Sequence, residues 1–136
     1  MHKTLPAGDA IAALQVGRTT SAAETGRAKL TPLLREGVDA LPRGPAQEIR
    51  VLHARLDPGD RTPRHTHRFP VTLYMLRGTF TLDLADRGRI EVPAGGTLVE
   101  PAGVAMTGYN FGAGPAEMVL FYACDPDAPF ADAAED

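Results

Sequence analysis

Between residues 48 and 124 the chain never runs far before a glycine or proline interrupts it. The segments between those interruptions are short, apolar and rich in β-branched residues. That pattern suits strands of a closed or double-layered sheet and leaves little room for a packed helix. Residues 48–56 (EIRVLHARL) alternate so that Leu52, Ala54 and Leu56 share one face. Pro58-Gly59-Asp60 then marks a turn. Residues 71–84 (VTLYMLRGTFTLDL) read as two strands with a bend or bulge at Gly78. Phe80, Leu82 and Leu84 take one face; Thr79, Thr81 and Asp83 take the other. A turn over residues 85–89 leads to a strand starting at Ile90. Further strands follow at 97–100 and 118–124, with turns at 94–96 and 101–103. The run 118–124 (MVLFYAC) is apolar throughout and predicts a strand buried on both faces.

Composition agrees. Fourteen glycines and twelve prolines in 136 residues amount to about 19%, against roughly 12% on average, which argues against a helical bundle. The length fits one domain able to bury a core without staples. The net charge of −3 does not favour a nucleic-acid or anionic membrane surface. A single cysteine excludes an internal disulfide framework and any multi-cysteine zinc site. The longest apolar run near the N-terminus, residues 10–14, is too short for a secretory core, and no window approaches a membrane span. The expected location is cytoplasmic. Residues 1–28 read as an arm, in which a capping box at Ser21 to Glu24 is cut short by Gly26. Residues 29–126 read as the folded barrel, and 127–136 as an acidic tail expected to fray.

The strongest local chemistry is Arg64-His65-Thr66-His67. On a strand, residues two apart point to the same side. Two imidazoles at that spacing can converge on one metal ion or anion. The wider spacing is more specific. Gly59 is followed after five residues by His65-Thr66-His67, then after three by Val71 and after six more by Gly78. Gly95 is followed after five residues by Pro101-Ala102-Gly103, then Met106 and Asn110.

This pair of motifs resembles those of the cupin superfamily, G-x5-H-x-H-x3–4-E-x6-G and G-x5-P-x-G-x2-H-x3-N. The likeness is to small single-domain, bacterial-type, RmlC-like members. It implies an all-β jelly-roll barrel, often dimeric, holding a metal on three histidines and one glutamate. Only His65 and His67 carry over as ligands. Val71 stands at the glutamate position and Met106 at the third histidine position. Valine offers no lone pair, and methionine offers a soft thioether that suits copper(I). Two imidazoles alone hold a hard divalent ion poorly. Glu100 and Met106 are therefore candidate replacements. Glu100 requires an inward carboxylate, which would itself imply a metal or a charge partner.

Thr72, Tyr74 and Tyr109 are candidates for lining a ligand pocket. Arg64 and Arg68 read as edge charges, His53 as structural and Cys124 as a buried inert thiol. No nucleotide fingerprint or serine-nucleophile motif is present. The functional expectation is a barrel that binds a metal (iron, manganese, zinc, nickel or copper) through His65 and His67. A small oxygenated molecule would sit inside, with dioxygenase- or isomerase-type chemistry. The alternative is a metal-free, small-molecule-binding or regulatory homodimer without catalysis.

Overall fold

The computed structural model describes residues 26–135, so the capping box and most of the expected arm lie outside the described residues. The chain divides into two units, residues 1–39 and 40–136. Of the first, residues 26–39 contain no helix or strand. The second carries all of the strands described: β1 (Glu48–Leu56), β2 (His65–Thr66), β3 (Val71–Arg77), β4 (Thr79–Leu84), β5 (Gly88–Pro93), β6 (Thr97–Glu100), β7 (Met106–Tyr109), β8 (Ala116–Cys124) and β9 (Asp132–Ala133). No helix occurs among the described residues, and none is long and apolar enough to cross a membrane.

The strands pair antiparallel in two sheets, in the orders β1-β8-β3-β6 and β5-β4-β7-β2-β9. The fold is the expected all-β jelly roll. Alternation explains the layering. Val71, Leu73 and Met75 of β3 and Met118, Leu120 and Tyr122 of β8 turn inward from the first sheet. Phe80, Leu82 and Leu84 of β4 and Met106 of β7 turn inward from the second. Both sets join one core.

Gly78 separates β3 from β4 as the sequence predicts. Its φ of 74° is left-handed, and a Cβ there would collide with the carbonyl oxygen of Pro115. The register of β3 against β8 slips between Met75 and Arg77, so the bend is a bulge.

Two expectations change. The apolar run of β8 is not buried on both faces. Its inner residues are buried, but Phe121 is 42% exposed and Val119 is half-buried. The acidic tail does not fray where it was expected to. Asp132 and Ala133 form β9 and pair with β2. Arg68 fixes them through two hydrogen bonds to the Asp132 carboxylate, of 2.9 and 3.1 Å. Arg50 secures the approach by donating to the carbonyls of Ala128 (2.7 Å) and Pro126 (3.1 Å).

Candidate metal centre

One cross-strand row of the first sheet runs Arg50, Tyr122, Val71, Glu100. Directly opposed residues project to the same side of a sheet. Glu100 therefore enters the barrel beside Val71. The neighbouring strand thus places a carboxylate beside position 71. Glu100 is buried, at 4% exposure.

His65 and His67 approach from the second sheet, where β2 is held between β7 and β9. Their rings meet edge to face, with centroids 4.8 Å apart. Each imidazole is oriented by a backbone carbonyl. His65 Nδ1 lies 2.7 Å from the Pro63 oxygen, and His67 Nδ1 lies 2.8 Å from the Phe130 oxygen. A carbonyl can only accept, so each Nδ1 donates, and in the neutral ring Nε2 keeps its lone pair.

His67 Nε2 then faces Glu100 Oε1 at 3.0 Å, with both side chains buried. The contact lacks hydrogen-bond geometry, and Nε2 is left without a hydrogen-bond partner. Two lone-pair-bearing atoms this close, away from water, need a cation between them, either a proton or a metal. Ligating atoms of His65, His67 and Glu100 all lie within 4.8 Å of one another. Two neutral imidazoles and a carboxylate form a donor set suited to a first-row transition metal. The residues present therefore fit such an ion.

The three side chains line a cavity of about 130 Å³. The rest of its wall is almost wholly apolar, including Leu56, Phe80, Met118 and Leu120. A larger pocket of about 350 Å³ shares Thr62, His65 and Phe130 with it.

Residues 52–122 match the Cupin domain family. The chain belongs to the cupin family. Among solved structures, this cupin is similar to an RmlC-like cupin with a double-stranded β-helix fold from Methanocaldococcus jannaschii. The two are 26% identical with a TM-score of 0.54, over 57% of this chain and 72% of that one. A conserved protein of unknown function from Streptococcus pyogenes is 25% identical with a TM-score of 0.51, over 61% and 69%. A polyketide cyclase from Streptomyces resistomycificus shares the fold at 22% identity, with a TM-score of 0.57 over 68% and 64%. None of the curated proteins compared with this cupin matches it.

The motif residues hold the frame together. Gly59 N–H donates to the Asn110 carbonyl (3.0 Å), and Asn110 N–H donates to the Asp60 carbonyl (3.0 Å). The buried Asn110 amide spans Leu56 and Gly114 at 3.0 and 2.8 Å. Gly103, at φ 74°, donates to the His67 carbonyl at 2.8 Å and so joins the second motif to the first.

The remaining candidates separate clearly. Met106 is fully buried directly opposite His65 and belongs to the hydrophobic core. Thr72 and Tyr74 do not line the cavity. Val71, Leu73 and Met75 take the inner positions of β3, so strand alternation turns Thr72 and Tyr74 to the outer face. Tyr109 faces outward from β7 for the same reason. It stacks on Phe111 with centroids 4.9 Å apart, beneath the Arg89 guanidinium. His53 lies on the outside against Glu117, at 3.0 Å. Cys124 is fully buried, and that burial pushes its thiol up, away from thiolate chemistry.

Sequence reasoning missed Phe130. Its carbonyl orients His67, and its ring packs on those of His67 (4.9 Å) and Tyr122 (5.4 Å). It lies beyond both motifs and acts partly through its backbone, so no residue-type signal marks it.

Proposed function

We propose that this cupin binds one transition-metal ion through His65, His67 and Glu100 and takes a small oxygenated molecule into the barrel interior. The observation that carries the reading is the bare, buried Nε2 of His67 facing the Glu100 carboxylate at 3.0 Å, while the other ring nitrogen is committed to Phe130. Such an ion, when bound, supplies Lewis acidity toward a substrate oxygen, or redox chemistry if it is iron, manganese or copper. The chain's own residues hold and orient. Pro63 and Phe130 set the ring tautomers, Glu100 supplies negative charge, and the apolar wall excludes water. The reaction class we favour is of dioxygenase or isomerase type. A soft ion would also recruit the Met106 thioether, and Met106→Leu would then weaken copper(I) selectively.

The protein is further read as a cytoplasmic homodimer. In support, Ile49, Val51 and Phe121 are exposed together on the outer face of the first sheet, an apolar surface of the kind that partners cover. Light scattering tests the dimer. For the metal, chelator-treated protein is titrated calorimetrically with zinc, manganese and cobalt. One-to-one binding with proton release is expected. Absence of binding by every ion would leave the metal-free, small-molecule-binding barrel as the function.

A further inference from the structure

The inner cavity combines three metal-binding donors with an otherwise mostly apolar lining, and together they select a class of ligand. This step rests on the metal reading above. A divalent ion beside Glu100 and two neutral histidines leaves one uncompensated positive charge in a buried site. Burial makes such a charge costly, so one further anionic donor completes the site. A dianion would overshoot. Among the described residues, no lysine or arginine lines the cavity to receive a second negative charge.

Apart from the three donors and Thr62, whose hydroxyl accepts from the Gly108 N–H at 2.9 Å, the wall is hydrocarbon and ring: Ala54, Leu56, Phe80, Met118, Leu120 and Phe130. Beyond that one hydroxyl it offers nothing to the hydroxyls of a sugar or to a phosphate. Size sets the remaining limit. The cavity of about 130 Å³ is close to the roughly 150 Å³ of an apolar cavity that admits benzene. The part of the ligand held inside therefore has about six non-hydrogen atoms.

We propose that the barrel selects short-chain monocarboxylates, with the carboxylate at the His65–His67–Glu100 donors and a three- or four-carbon skeleton against the apolar wall. Dicarboxylates and sugar phosphates are excluded by the same wall.

Cobalt(II)-loaded protein tests this through its visible absorption, which reports changes in the ion's donors without any assay of activity. Cobalt uptake is measured first, and acetate, propionate, butyrate and malonate are then titrated separately. Each added methylene should tighten binding about fourfold, so butyrate should bind about fifteenfold more tightly than acetate. Malonate should bind more weakly than butyrate. Ala54→Leu, which fills apolar space in the cavity, should keep one cobalt per chain while erasing the preference of butyrate over acetate. Should that variant misfold, the chain-length series on the unaltered protein decides alone. Cobalt binding with equal response to all four acids, with a preference for malonate, or with no response would overturn the ligand class while leaving the metal site standing. Protein that takes up no cobalt would overturn both.

Discussion

At the scale of single residues, the centre depends on which atoms are left free. His67 commits Nδ1 to Phe130 and presents Nε2 to Glu100. Glu100→Gln separates a metal ligand from a mere charge partner. The amide can donate to the bare Nε2, so the metal-free variant should melt at or above the parent temperature. Its metal affinity should fall at least about tenfold. A fall in melting temperature with unchanged metal affinity would show that the pair serves stability alone. The histidine pair was legible in the sequence, because its spacing is local. The orientation of Glu100 was not. It follows from the register Val71↔Glu100 between β3 and β6, a long-range fact that alternation within one strand cannot supply. Thr72 and Tyr74 failed as pocket residues for a related reason: alternation pairs them with each other but does not say which face is inside.

At the scale of elements, β2 is only two residues long, and its placement comes from its neighbours β7 and β9. Deleting residues 130–136 removes the acceptor for His67 Nδ1 and the Asp132 anchor of Arg68. Metal affinity should fall about 10- to 100-fold, while circular dichroism retains its strand signal. Full affinity in the truncated protein would contradict the role given to Phe130. The bulge at Gly78 was legible because only glycine tolerates that backbone, and Gly78→Ala should destabilise by more than about 1 kcal/mol in denaturant unfolding. On the outer face, Arg77 holds the Glu117 carboxyl below the ordinary glutamate range through a 3.1 Å hydrogen bond. A depressed carboxyl stabilises the fold above its unfolded pKa and loses that contribution as the pH falls through its folded value. Glu117→Gln should therefore melt slightly below the parent at neutral pH and equal it in strong acid, a small effect for an exposed pair. A gap that persists in acid would assign the effect to packing.

At the scale of the whole molecule, the jelly roll was readable from turn spacing and the paired motifs, because both are repeated local signals. β9 was not. Two residues in an acidic segment carry no strand pattern of their own, and only pairing with β2 orders them. The barrel brings donors from both sheets to one largely apolar cavity, and the central claim is that a metal ion joins them. Elemental mass spectrometry on protein purified without a histidine tag or chelator tests it most directly, beside a His65→Ala/His67→Ala double variant. The account predicts close to one transition-metal ion per chain, lost in the double variant. No metal in either protein, even after reconstitution with each candidate ion, would contradict it.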